Sequence, residues 1–139
     1  MSIIHATSVC LKNKGILILG KSGAGKSDLA LRLIEEQKAI LVADDITELS
    51  VKKGEIYASC PENIRGKIEV RGVGIVQKPY EENIKISLVV ELVNDFKKIE
   101  RLPEPEFWEY EKIKIKQLKL YPFEISACHK VRLACDEKA

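Results

Sequence analysis

Gly15-Ile16-Leu17-Ile18-Leu19-Gly20-Lys21-Ser22-Gly23-Ala24-Gly25-Lys26-Ser27 is the stretch on which the architecture turns. Ile16 to Leu19 run apolar without a break, the pattern of a strand buried on both faces. Gly20 to Ser27 then fits G-x-x-x-x-G-K-[ST], and Asp28 to Gln37, free of Gly and Pro, predicts a helix. Strand, glycine loop and helix in that order predict a phosphate-binding loop. A polyphosphate needs several backbone N–H groups converging on it, which only a tight loop with little side-chain bulk provides. The helix N-terminus adds unpaired N–H groups and the positive end of the helix dipole. In this reading Gly20, Lys21, Ser22, Gly23, Ala24, Gly25, Lys26 and Ser27 form the cradle. Lys26 reaches the outer phosphates, and the Ser27 hydroxyl sits on a magnesium ion bridging them.

The bulk properties bound the rest. A chain of 139 residues predicts one domain, residues 1–139. Apolar content of 45% and charged content of 32% are those of a soluble globular protein. The net charge of +2 comes from interspersed Lys and Glu, so no nucleic-acid footprint is expected. No apolar run approaches about 18 residues and no signal peptide opens the chain, so no membrane partner and a cytoplasmic location are expected. Cys10, Cys60, Cys128 and Cys135 lie far apart without a C-x-x-C pair, as reduced, packed thiols do. Cys128-His129 lacks the partner pair that a metal site requires.

Around the loop, Ile3 to Leu11 reads as a first strand carrying His5, and Lys12 to Gly15 as a turn. Taken alone, His5 reads as an ordinary strand-end imidazole. The helix shows Ala30, Leu33, Ile34 and Gln37 on one face, and Asp28 suits its first turn. Ala39 to Asp45 is a buried strand ending in two adjacent carboxylates, Asp44 and Asp45. Near phosphates and magnesium, one acid can take a proton from an attacking hydroxyl while the other holds water, metal or structure. Ile46 to Val51 and Glu55 to Cys60 flank Lys52-Lys53-Gly54, a hairpin signal where a doubly wound fold would place a helix. The sheet is therefore expected to be mixed, with a substantial antiparallel part.

Lys67 to Val76 reads as one strand, with Ile68, Val70, Val73 and Ile75 inward and Glu69 and Arg71 outward. Gly72 and Gly74 interrupt it as the wall of a site would require. Ile84 to Val93 predicts a central strand, Asn94 to Arg101 a polar segment, and Leu102 to Glu106 a loop. Phe107, Trp108 and Tyr110 read as a core or loop anchor. Lys112 to Leu120 alternates Lys with Ile and Leu, as an edge strand guarded by lysines does. Glu124 to Cys135 predicts a terminal helix, followed by a soluble Asp136-Glu137-Lys138-Ala139 tail.

These motifs together resemble the catalytic domain of HPr kinase/phosphorylase, the bacterial enzyme acting on a serine of the phosphocarrier protein HPr. The resemblance rests on His5, the Gly20 to Ser27 loop, Leu41-Val42-Ala43-Asp44-Asp45, and Ile68-Glu69-Val70-Arg71-Gly72-Val73-Gly74-Ile75. The last is similar to the family's E-I-R-G-L-G-I signature, and Glu100 to Pro105 resembles the family's short branch. The resemblance implies a mixed-sheet α/β P-loop kinase domain like that of the family and of phosphoenolpyruvate carboxykinase. It implies that Lys26 and the loop hold ATP, that Ser27 and Glu69 bind magnesium, and that Asp45 is the base with Asp44 beside it. His5 and Arg101 join the catalytic set on the same ground, and Arg71 belongs to the signature strand.

Two departures accompany the match. Full-length members carry an N-terminal domain, whereas this chain starts at the kinase domain's first strand. Where the family has a P-V-x-P-G-R-N run, the chain has Leu118-Lys119-Leu120-Tyr121-Pro122-Phe123-Glu124, without its glycine and arginine. Phosphorylase activity and the hexamer of long members are thereby in doubt, and self-association stays open. The expected function is an ATP- and magnesium-dependent serine kinase with an HPr-like phosphocarrier as partner. The alternatives are a non-catalytic ATP-responsive binding module and a small-metabolite kinase on the same site.

Overall fold

The computed structural model describes residues 1–136, so most of the expected tail lies outside the described residues. In chain order its elements begin with β1 (Ser2–His5), β2 (Thr7–Leu11), β3 (Lys14–Leu19), α1 (Lys26–Gln37) and β4 (Ile40–Ala43). The hairpin β5 (Ile46–Lys52) and β6 (Glu55–Ser59) follows, then β7 (Lys67–Val70) and β8 (Gly74–Gln77). The chain continues through β9 (Ile84–Leu92), β10 (Glu106–Tyr110), β11 (Ile113–Leu120) and α2 (Ala127–Asp136).

Nine strands form one sheet in the order β1-β5-β6-β9-β3-β2-β4, with β11 and β10 branching from β9. The dense apolar strand β9 is the hub, as its composition suggests. One edge pairs in parallel with β3. The other pairs first with β6, antiparallel at Ile84 and Lys85, and then with β11, parallel from Val89 to Leu92. The sheet is mixed, as the hairpin at Lys52-Lys53-Gly54 requires. Lys53 (φ 51°) and Gly54 (φ 75°) are both left-handed in that turn, the geometry that matches strand twist in a two-residue hairpin.

The uninterrupted run in β3 is explained by two cores. Ile16 and Ile18 pack with Leu29, Leu33, Leu88 and Val131 beneath the helices. Leu17 joins Val42, Leu49, Ile56 and Val89 on the opposite face. Alternation along the strand thus buries Gly15 to Ile18 on both faces, with Leu19 partly buried, once the sheet curls over its second face. Trp108 and Tyr110 help to close that face, their rings stacked at 5.6 Å and packed against the second core. Phe107, the residue before Trp108 on β10, falls on the other face of the strand and is exposed. Among the described residues, no helix is long and apolar enough to cross a membrane.

Three expected strands come out differently. Ile3 to Leu11 is two strands, because the chain changes partners at Ala6: β1 pairs with β5, and β2 with β3 and β4. The Ala6 N–H leaves the ladder to donate to the Asp45 carbonyl at 3.0 Å. Lys67 to Val76 is a separate hairpin, not one strand. Positive φ at Gly72 (89°) and Gly74 (120°) reverses the chain there, and Val73 and Ile75, expected inward, are exposed. Finally, β11 is not an edge. It lies between β9 and β10, which takes the edge position instead. The lysine alternation reflects a strand solvated on one face, not an unpaired one.

Candidate active site

The phosphate loop leaves the carboxyl end of β3 and enters α1 at Gly25 (φ 105°), which caps the helix without a side-chain hydrogen bond. The positive φ at Gly25 favours glycine, and a Cβ there would lie 3.0 Å from Cζ of Phe123, tight enough that the ring would have to shift. Lys26 is nearly buried and folds back along the loop, its Nζ donating to the carbonyls of Gly20 (2.9 Å) and Lys21 (3.3 Å). Those carbonyls hold the ammonium at the loop's mouth. Lys21, Ser22 and Gly23 are exposed around it.

The acid pair sits directly against this loop. Ser27 Oγ donates to Asp44 Oδ1 at 2.5 Å, a short charge-assisted hydrogen bond. Asp44 is buried and also accepts from Thr7 Oγ1 (3.3 Å) and, through Oδ2, from the Glu69 N–H (3.0 Å). One carboxylate therefore ties together the phosphate loop, the first strand of the core and the β7–β8 hairpin.

Asp45 is arranged otherwise. Its backbone is left-handed (φ 66°), its N–H donates to Thr7 Oγ1 at 3.1 Å, and its side chain is exposed. Among the described residues, no hydrogen bond or ion pair engages its carboxylate. Adjacent acids thus differ in environment: Asp44 is buried and accepts three hydrogen bonds, whereas the Asp45 carboxylate faces solvent.

His5 ends β1 opposite Ile46, one residue from Asp45, and is exposed. Glu69 contributes its backbone to the site, and its carboxylate is exposed on β7. Arg101 stands apart from the acids. It lines a cavity of about 460 Å³ with Phe96, Lys98, Glu104, Lys119 and Lys130, and neither the phosphate loop nor the acid pair contributes to that lining. Arg71 is exposed at the hairpin turn.

Sequence reasoning missed Thr7. Fully buried, its hydroxyl bonds to the Asp44 carboxylate and to the Asp45 N–H. On the other face of β2, the buried Ser8 and Thr47 hydroxyls lie 3.1 Å apart, and Thr47 donates to the Ala6 carbonyl at 2.8 Å. The available signal was two successive hydroxyl residues, Thr7-Ser8, inside a strand otherwise suited to an apolar core. Buried hydroxyls need partners, and here the partners are the site.

The donor set fits a hard divalent cation. Magnesium is usually held by one or two carboxylates together with substrate phosphates and waters, not by an all-protein cage. The Ser27 hydroxyl and the Asp44 carboxylate form such an oxygen pair beside a phosphate cradle.

Comparison with known proteins bears on the family and the fold. The family model described as HPr Serine kinase C-terminal domain matches residues 1–131. HPr kinase/phosphorylase of Brevibacillus brevis is 37% identical over 111 residues, covering 79% of this chain and 33% of that protein. The Caldicellulosiruptor bescii protein of the same name is 37% identical over 114 residues, with 78% and 34% covered. The chain therefore spans about a third of the length of the curated relatives it matches. The solved structure of the Hpr(Ser) kinase/phosphatase from Coxiella burnetii superposes with a TM-score of 0.82 at 22% identity, covering 99% of this chain and 100% of that one. That likeness establishes the shared fold.

Proposed function

The chain belongs to the HPr serine kinase C-terminal domain family, and from that premise we propose that it transfers the γ-phosphoryl group of ATP to a serine of an HPr-like phosphocarrier protein. The observation that supports this reading is the Ser27–Asp44 hydrogen bond, which brings the start of α1, where the phosphate loop ends, against the first of the two acids. ATP lies with its phosphates on the N–H groups of residues 20–27, and Lys26 exchanges its contacts with the Gly20 and Lys21 carbonyls for phosphate oxygens. Ser27 and Asp44, with the Glu69 carboxylate nearby, are the residues to hold magnesium. When bound, that ion neutralises charge building on the phosphates.

Asp45 takes the proton from the incoming seryl hydroxyl. As the seryl oxygen bonds to the γ-phosphorus, the bond from that phosphorus to the bridging oxygen breaks and ADP leaves. Positioning and electrostatics supply most of the rate in such transfers. Asp44 and Thr7 serve by fixing where Asp45 stands, while His5 flanks the same turn.

The test is incubation with labelled ATP, magnesium and an HPr-type carrier. The wild-type chain labels the carrier. Asp45→Asn lowers the rate by about a hundredfold or more, the scale of a lost general base, while binding ATP as before. If the wild-type chain binds ATP and labels no carrier, it is a nucleotide sensor and the kinase reading fails.

A further inference from the structure

The transferring end of the nucleotide is fixed by the acids, but its other end must also lie somewhere on the rim. Strands β3, β9 and β11 run parallel, and their carboxyl ends are level: Leu19 pairs with Glu91, and Leu120 with Leu92. Ligands of open α/β sheets bind outside such strand ends. The loop after β3 is the phosphate cradle. The loop after β9 carries Phe96, and that after β11 carries Tyr121, Pro122 and Phe123.

These three aromatic rings form one strip. Phe96 and Tyr121 meet edge to face at 6.4 Å, and Tyr121 and Phe123 at 5.8 Å. The strip abuts the cradle at Gly25, where the Phe123 ring occupies the space a Cβ would need. It is held in place: Arg32 of α1, paired to Asp28, donates from Nη2 to the Pro122 carbonyl at 2.6 Å, and the Val93 N–H donates to the Leu120 carbonyl at 2.9 Å. Yet Phe96 and Phe123 are each 59% exposed, so apolar ring surface is presented to solvent from a fixed position.

Sheet order gives the direction. From β3, the acid pair lies on the side of β2 and β4, whereas the aromatic strip lies on the side of β9 and β11. A nucleotide whose γ-phosphate faces Asp45 therefore extends its nucleoside end away from the acids, across the loop towards Phe123. We propose that the Phe96–Tyr121–Phe123 strip is the platform on which the nucleotide base stacks. This inference rests on the phosphate-transfer reading and adds a base subsite to it. Base–aromatic stacking is indifferent to base identity, because every base offers a π-face.

The test compares binding of magnesium–ATP and magnesium–tripolyphosphate by calorimetry, since the second ligand has phosphates and no base. Wild-type protein is expected to bind ATP about tenfold or more tightly than tripolyphosphate. Phe123→Ala and Phe96→Ala each weaken ATP by about five- to a hundredfold, the range for loss of one stacked ring. Both leave tripolyphosphate within about twofold, and Phe123→Trp retains ATP binding. Tripolyphosphate binding with no advantage for ATP overturns the base platform and leaves the phosphate site standing. An equal loss of both ligands in Phe123→Ala makes the ring a mere support for the loop. Unchanged ATP binding with a raised KM for the carrier makes the strip a protein-docking surface, which also overturns the proposal. If the wild-type chain binds neither ligand, the phosphate-transfer reading itself fails and takes the platform with it.

Discussion

Thr7 shows how much one buried hydroxyl can govern. It donates to Asp44 and accepts from the Asp45 N–H, so it ties β2 to both members of the acid pair. Thr7→Val keeps the shape but leaves a buried carboxylate oxygen and a backbone N–H short of partners. A loss of about 1–3 kcal/mol in folding stability is expected, the scale of an unsatisfied buried group, together with a fall in transfer rate. Thr7→Ser restores the hydroxyl and should recover most of both. Urea unfolding and initial-rate assays on the pair check this; a rate unaffected in Thr7→Val would mean that Asp45 needs no such support. The residues most legible in the sequence were those whose chemistry is local. Gly20 to Ser27 announce themselves by spacing, and Asp44-Asp45 by their position at a strand end. The Thr7-Ser8 pair marks a polar position in an apolar strand, but its partner depends on β2 lying beside β4, a contact between residues 37 positions apart in the chain.

At the scale of elements, hairpins and helices were readable because their signals are short-ranged: Lys52-Lys53-Gly54 turns where expected, and α1 runs as its periodicity indicates. Misreadings fell where tertiary pairing overrides local pattern. Ala6 gives no sequence sign that the chain changes partners there. The apolar alternation of Val73 and Ile75 imitates a buried strand, although Gly72 and Gly74 fold it back into solvent. That β7–β8 hairpin reaches the site by one bond, from the Glu69 N–H to Asp44. At Gly72 a Cβ would meet nothing within 4 Å, so any penalty for Gly72→Ala comes from the positive φ alone. About 1–2 kcal/mol of local destabilisation is expected. It should appear as roughly tenfold faster hydrogen exchange at the Glu69 amide, with little change in the global unfolding midpoint, because Ile68 still anchors the strand in the main core. A midpoint that falls by the full amount would instead make the hairpin part of the cooperative unit.

The whole molecule is built on β3 and β9, with acids to one side of that spine and exposed aromatics to the other. The same two cores that steady this rim enclose the thiols: Cys128 and Cys135 lie in the core beneath the helices, and Cys10 in the core on the opposite face. All four cysteines are free and buried. Burial pushes every thiol up from its ordinary value of 9.0, and Cys60 furthest, to about 11, against a smaller opposing pull from Arg65. The sign of the linkage follows. The folded state holds the Cys60 proton more tightly than the unfolded chain, so the neutral thiol's contribution to stability is fully present below pH 9 and is lost as pH rises towards about 11. Urea midpoints measured at about pH 8 and about pH 10.5 should therefore fall in the wild type. In Cys60→Ala the fall should be smaller, because Lys and Tyr titration is common to both proteins and only the buried thiolate is removed. Equal falls would assign the alkaline loss to the surface charges, and alkylation at pH 8 offers an independent reading: a thiol held neutral at Cys60 reacts far more slowly in the folded protein than in urea.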